Sequence, residues 1–270
     1  VVFTGDQGGQ LYIRGGSPIQ NKVLIDGMII YSPFHSIGLF SVFDTDIIRN
    51  TDVYTGGFNA EFGGRISSIM DIKTIDGNKK EIGGKLSANT FGSKIFIEGP
   101  LSSSGKTSFV FSGKTSYLNK TSDLIYKAPV LYFDEKGLPY SYTDLYGKIS
   151  MYGDNGSKIN VFGFNFQDQV DYQNISDLSW GSLGLGSEFI IIPTGSPVLI
   201  EGNFAYSSYN VSFKEDALPL RESGINGYNI GIDFSYFQPK GQIKYGFDIH
   251  GFSTNFITYN SINTPITQDE

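Results

Sequence analysis

From Ile82 onward the chain is built of long alternating segments, and no other feature narrows its fold as much. At roughly 82–89, 93–99, 107–117, 143–152, 158–168, 180–192, 198–213, 225–237 and 243–258 apolar side chains recur at every second position. That is the period of a strand whose two faces meet different surroundings. In the eighth segment Tyr228, Ile230, Ile232, Phe234 and Tyr236 share one face, while Asn229, Gly231, Asp233 and Ser235 share the other. The ninth sets Ile243, Tyr245, Phe247 and Ile249 against Lys244, Gly246, Asp248 and His250. The seventh opposes Val198, Ile200, Phe204 and Tyr206 to Glu201, Asn203 and Ser207. The less apolar faces carry small residues such as Gly184, Gly186 and Ser187 instead of the dense charge of a water-facing sheet. A soluble sandwich uses strands of about 5–6 residues, whereas a transmembrane antiparallel β-barrel uses strands of about ten residues with apolar side chains outward.

The connections support the barrel. Short turns, SSSGK, GDNGS, PTGSP and QPKGQ, follow the second, fourth, sixth and eighth segments. Longer stretches follow the third, fifth and seventh, the longest running from Leu118 to Tyr142 through Gly137 with no helical period. Short turns at one end and long loops at the other are the asymmetry of such barrels, and only the tight NTFGS after the first segment departs from it. Nine antiparallel strands leave the first and last parallel, which does not close an even-stranded barrel. The terminal NSINTPITQDE therefore reads as a loop, and the whole as an internal portion of a longer barrel.

Composition removes other classes. The net charge is 20 − 27 = −7 without a basic run, so the phosphate neutralisation needed for nucleic-acid binding is missing. With no Cys and only His35 and His250 as imidazoles, thiol chemistry, disulfides and multi-histidine metal centres are excluded. No GxSxG, HExxH, Walker A or EF-hand pattern occurs, so no catalytic residue, metal ligand or cofactor is assigned. Asn119, Asn174 and Asn210 start N-x-S/T triplets, which arise by chance in so Asn- and Ser-rich a chain. His35 reads as a loop hydrogen-bonder and His250 as a lumen residue. The opening VVFTGDQGGQ lacks the basic and apolar regions of a signal peptide, and no run nears the ~20 apolar residues of a spanning helix.

Residues 1–75 differ. Short apolar runs broken by Gly pairs at 8–9, 15–16, 56–57 and 63–64 predict a small α+β domain, with a short helix in FSVFDTDIIRNT. The turn-rich KTIDGNKKE then holds a linker at 76–81, before the barrel portion at 82–270. This first domain resembles the second half of the plug of TonB-dependent outer-membrane receptors, so it is expected to be an N-terminally incomplete plug. The resemblance rests on IRG at 13–15, VLIDG at 23–27, DVYTGG at 52–57 and AEFGGRISSIMDI at 60–72, in that order. The plug-motif residues are Gly15, Gly16, Asp26, Gly27, Gly56, Gly57, Glu61, Gly63 and Gly64.

What the resemblance implies is a mainly β protein: a plug inside a barrel of 22 strands, of which nine are read here. It implies energised import of a ligand such as a siderophore, cofactor or oligomer across the outer membrane of a Gram-negative bacterium, and no enzyme activity. The implied partners are outer-membrane lipid, the imported ligand, the TonB–ExbB–ExbD complex acting on an N-terminal box and, as a candidate, a surface lipoprotein. The alternative is a non-transporting barrel serving as a structural subunit of a surface or secretion assembly. Many members carry Arg-Gly-Pro where this chain has Tyr54, Thr55, Gly56 and Gly57, which leaves Arg65 to stand in for the missing arginine. Family members hold plug arginines against barrel carboxylates, so Arg14 and Arg65 are expected to meet Glu188, Glu201, Asp233 or Asp248. In the resemblance the plug enters from the periplasm and sends the first strand outward, which puts SSSGK and the other short turns on the periplasmic side and Gly137 outside.

Overall fold

The computed structural model of the protein describes residues 2–3, 11–35, 40–125, 138–172, 175–215, 218–259 and 264–269. Gly8, Gly9, Gly137 and Asn174 lie outside these. In chain order the first domain contains β1 (Val2–Phe3), β2 (Leu11–Tyr12), β3 (Asn21–Ile25), β4 (Met28–Ile29), β5 (Ile48–Thr55) and β6 (Ser68–Thr74). β4, β3, β6 and β5 form one sheet in that order, with β3 parallel to β6. The expected helix in FSVFDTDIIRNT is a single 3-10 turn, Thr45–Ile47, capped by the Asp44 carboxylate accepting from Asp46 N. A capping Asp starts it, and the β-branched pair Ile47–Ile48 then continues as strand.

The wall is one antiparallel sheet of ten strands: β7 (Gly83–Ala88), β8 (Gly92–Pro100), β9 (Thr107–Ser116), β10 (Tyr140–Tyr152), β11 (Lys158–Tyr172), β12 (Ser176–Ile191), β13 (Val198–Glu215), β14 (Arg221–Gln238), β15 (Gly241–Tyr259) and β16 (Pro265–Asp269). Each pairs with its sequence neighbours, and β7 and β16 are the two edges. The nine expected strands are all present. The tenth, β16, corrects the reading of the terminal residues as a loop: Pro265 pairs with Tyr259 and Asp269 with Asn255. Its sequence, PITQD, begins with proline and alternates poorly, so the pairing edge of β15 and not its own pattern makes it a strand.

A second correction concerns the long loops. The connections at 173–175 and 216–220 are as short as those at the other end, because β11, β13 and β14 run 15, 18 and 18 residues. Alternation fades near Asp168 and Phe213, but the hydrogen-bonded ladder continues as a polar ribbon, as in Asp171↔Asp177 and Asn210↔Gly224. Backbone groups gain by pairing wherever the neighbouring strand is in register. Only the 117–139 connection remains long, and it contains a short helix, α1 (Leu118–Ile125), that no helical period announced.

The outer face carries an apolar belt. On β14, Tyr228 and Ile230 are 50% and 43% exposed while Asn229 and Ser235 between and beyond them are 5% and 2%. From Tyr228 to Tyr236 the strand covers about 27 Å at ~3.4 Å per residue, or about 21 Å of depth at a tilt near 40°, comparable to the ~25 Å apolar band of membrane barrels. Outward residues beyond that band turn polar on each strand: Gln167 and Gln169 on β11, Asn210 and Ser212 on β13, Asn226 and Glu222 on β14. Ser187, expected on the inner face, pairs with outward Val161 and faces out.

Where the first domain docks, the inner face is apolar as well. Phe162, Phe164 and Phe166 of β11 join Ile25, Met28 and Ile72 of the plug sheet in one core. Gly184 and Gly186 of β12 make room for it, since a Cβ at Gly184 would lie 2.3 Å from the Phe164 ring and 2.7 Å from Met28 Sδ. Replacing Ile232, on the outward face of β14, by Arg should cost about 2–4 kcal/mol near the bilayer midplane. Asp233→Arg, placed opposite Glu201 on the lumen side, should be tolerated. Heat-modifiable migration of membrane fractions reads assembly, and equal yields for the two would contradict this facing.

Candidate functional site

The seam between plug and wall is polar, and its centre is an Asp-Gly turn. Asp26 and Gly27 have φ of +47° and +81° and link β3 to β4 in a two-residue hairpin, Ile25↔Met28. Asp-Gly suits such a turn because both positions need positive φ. The hairpin tip presses on the wall: a Cβ at Gly27 would lie 3.4 Å from Asn203 Nδ2. The Asp26 carboxylate is buried and accepts from Thr74 N at 2.9 Å, Thr74 Oγ1 at 2.5 Å and the Tyr146 hydroxyl at 2.9 Å. Lys148 of β10, with a fully buried side chain, lies 3.4 Å from Asp26, 3.2 Å from Asp76 and 3.8 Å from Glu188. Asp76, just after the plug sheet, also pairs with Lys158 at 2.9 Å. Burial pushes the Asp76 carboxyl up, but Lys148 and Lys158 outweigh it and hold it down to about 2.

Towards the end of the wall that carries the 117–139 connection, which we term the loop end, a second cluster fixes the plug. His35 is 1% exposed. Its Nε2 lies 2.8 Å from Asp144 Oδ2 and its Nδ1 3.3 Å from Asp168 Oδ2. The ring stacks on Tyr142 at 3.9 Å and, further off, on Trp180 at 5.8 Å. Burial alone would lower the imidazole pKa, yet the two carboxylates more than offset it and the net shift is upward. Lys114 of β9 bridges Asp144 at 3.2 Å and donates to the plug carbonyl of Ser41. A third set joins Asp44 and Asp46 to Lys94 and Lys85, with Lys94 at 2.9 Å from Asp44 and Lys85 at 2.6 Å from Asp46. Glu61 meets Lys244 of β15.

The expected plug arginines do not take this role. Arg14 is exposed with φ of +51°, and its guanidinium lies over Gly56, where a Cβ would be 2.0 Å from Nη1. Arg65 donates from Nη1 to Gly64 O at 2.8 Å. Neither makes an ion pair among the described residues. Of the four wall carboxylates, Glu188 meets a plug cation, Lys73, at 4.0 Å, while Asp248 pairs with His250 at 2.8 Å. Glu201 and Asp233 lie directly opposite each other on β13 and β14. The arrangement is thus largely the reverse of the expected one: the plug supplies carboxylates and the wall supplies lysines. The physical reason is position. Arg14 and Gly15 form a left-handed turn at the plug surface, whereas Asp26 and Asp44 sit at turns that face the wall. Among the motif glycines, Gly16 packs on Ser67, Gly63 O accepts weakly from Lys22 at 3.5 Å, and nothing lies within 4 Å of a Cβ at Gly15, Gly57 or Gly64.

Two cavities flank the seam. A loop-end cavity of about 530 Å3 is lined by plug residues that include Lys22, Tyr31 and Arg65 and by Trp180, Tyr209 and Val211 of the wall. A second, of about 420 Å3, opens beside β12–β15 and is lined by Lys22, Glu61, Lys73, Glu188, Glu201 and Asp233 among others.

A small domain docked on the inside of an antiparallel sheet whose outside carries an apolar belt has the architecture of part of a plugged β-barrel. Residues 1–68 match the family described as TonB-dependent Receptor Plug Domain. No curated protein matches the chain by sequence. Its fold is similar to the FrpB iron transporter of Neisseria meningitidis, at a TM-score of 0.64 and 13% identity over 94% of this chain and 42% of that one. It is also similar to the alcaligin outer-membrane receptor FauA of Bordetella pertussis, with 0.66 and 11% over 100% and 43%. The siderophore receptor PirA of Acinetobacter baumannii gives 0.65 and 14% over 97% and 45%. The chain therefore spans under half the length of these solved structures.

Proposed function

We propose that the protein works in the outer membrane of a Gram-negative bacterium as a TonB-dependent importer, taking a ligand at the loop end and releasing it on the turn side when TonB–ExbB–ExbD pulls on the plug. The observation that carries this reading is the seam. The plug is held by ion pairs and hydrogen bonds centred on Asp26, Asp76, His35 and Asp44, in addition to its apolar contacts. Such contacts can be exchanged for water as the plug shifts, at a smaller penalty than exposing a continuous apolar core. Similarity to an iron transporter and to siderophore receptors supports an iron-bearing cargo.

The test is growth on limiting iron of cells lacking the receptor, with the whole receptor restored in the presence or absence of TonB. Rescue should require TonB. Rescue without TonB, or a surface-assembly defect in place of a growth defect, would favour the structural-subunit alternative. Topology is checked in the same strain with a membrane-impermeant thiol reagent: Leu218→Cys should label on intact cells and Ser103→Cys should not. The reverse pattern would invert the proposed orientation.

A further inference from the structure

Beyond the apolar belt, towards the loop end, the outward side of the wall is polar yet nearly free of charge. Tyr206 and Tyr228, directly opposite each other on β13 and β14, close the belt on those strands. Four residues further, one outward rung runs Thr143, Gln167, Gly181, Asn210, Gly224, Asn255 from β10 to β15, each directly opposite the next. The rung below it holds Asn165, Ser208 and Asn226, and the rung above it Gln169, Ser179 and Ser212. Among the described outward residues of these three rungs on β10–β15, Glu222 is the only charge. A strand face in plain water carries interspersed charge at about 25–35% of its positions. A face that reads phosphate carries Arg and Lys, but the outward Lys214, two rungs further out than Asn210, stands opposite Asp177.

Height and relief narrow the partner. The uppermost of the three rungs lies six residues beyond Tyr206, about 20 Å along the strand and about 15 Å in depth at a tilt near 40°. The polar layer of a phospholipid leaflet is only about 5–7 Å deep, so the ribbon is taller than a phospholipid headgroup. Along its central rung, amides and glycines alternate. A Cβ at Gly224 would lie 2.2 Å from Asn255 Oδ1 and 2.4 Å from Asn210 Oδ1, so both amides lean over that glycine. At Gly181 a Cβ would come no nearer than 3.9 Å to its surroundings, which leaves an open notch between the exposed side chains of Gln167 and Asn210. We propose that this ribbon binds the neutral sugar rings of a saccharide-headed lipid of the outer leaflet, one ring edge seated in the Gly181 notch. Each amide offers a donor and an acceptor, as a pair of neighbouring sugar hydroxyls requires, and the belt directly beneath receives the acyl chains of the same lipid. The inference rests on the reading of the protein as an outer-membrane barrel with its loop end outside, and it adds the chemistry of the lipid partner.

The experiment measures lipid binding to the purified whole receptor in an amine-oxide detergent, which carries no sugar to compete. Three probes are compared: rough lipopolysaccharide with its core sugars, the same lipid stripped of phosphate with hydrogen fluoride, and lipid A, which keeps acyl chains and phosphates without core sugar. The first two should bind within about threefold of each other, and lipid A about tenfold more weakly. Replacing Gln167 and Asn210 together by Ala should weaken both core-bearing probes about tenfold. Lys214→Gln should alter none of the three. Heat-modifiable migration confirms that each variant is folded. Affinity that follows the phosphates, core-bearing probes that bind no better than lipid A, or a core preference that survives the double substitution would overturn the proposal. Binding in detergent needs neither TonB nor an orientation, so a failure here is read separately from a failure of TonB-dependent growth or of thiol labelling.

Discussion

Replacing Lys148 by Met should loosen the plug more than any other single change at the turn-side half of the seam. The Lys148 side chain has no exposure and is the cation shared by Asp26, Asp76 and Glu188. Methionine keeps most of its length and volume, so the apolar packing survives while three carboxylates lose their common counter-charge. Removing one partner from a buried charge cluster costs about 3–5 kcal/mol, because Asp26 stays desolvated with no cation in range among the described residues, while Asp76 keeps Lys158 and Glu188 keeps Lys73. The barrel strand itself should assemble, since Lys148 pairs by backbone with Phe162 and Val110 whatever its side chain. The expected phenotype is a normally migrating barrel with a protease-sensitive plug and raised entry of a large antibiotic such as vancomycin. Arg14→Ala is the control: exposed and without an ion pair among the described residues, it should stay within about 0.5 kcal/mol of the parent. Should Arg14→Ala leak and Lys148→Met remain tight, the docking charges have been misassigned.

That reversal shows what was legible in the chain. Alternation located all nine long strands, because it is a local pattern with a fixed geometric meaning; the DG of VLIDG reads only as part of a motif, and the hairpin it forms against the wall is visible in the structure alone. The ends of β11, β13 and β14 were not legible: their outer residues are polar and their strand state comes from register with a neighbour, as in Val211↔Ser223. β16 escaped for the same reason. The docking charges were hidden differently. Lys94, Lys114 and Lys148 each occupy an inward position of an alternating strand, so their parity was readable, but a lysine in a lumen has no required partner until the plug's orientation is known. Expecting plug arginines directed attention to wall acids, and thereby away from the wall lysines that do the pairing. His35 carried no sequence signal at all, since Asp144 and Asp168 lie more than a hundred residues away on adjacent strands.

At the loop end the corresponding expectation is a plug whose docking depends on pH. His35 is held between Asp144 and Asp168, with Lys114 on Asp144 and the Tyr142 ring against its face. Two carboxylates, one ammonium and one imidazolium sum to zero, whereas a neutral imidazole leaves one negative charge buried without balance. Because the folded His35 pKa is raised above its unfolded value near ~6.5, its contribution is complete below that value and disappears as the pH rises through the folded pKa. Asp76 works in the opposite sense: its pKa of about 2 means that its contribution is lost only as the pH falls below about 4. The histidine is the group of this cluster whose unperturbed pKa lies between about pH 5 and pH 9. Protection of the plug from protease should be greatest near pH 5–6 and should decline on the alkaline side. His35→Leu leaves both carboxylates to Lys114 alone, at a cost of about 3–5 kcal/mol, and should show weak protection with a flat pH profile at every pH in that range. A parent whose plug loosens on acidification over that interval, or a leucine variant that keeps the parent's slope, would place the pH-sensitive contact elsewhere, because no other sign of slope is available to an imidazolium that gains its stability from two buried anions.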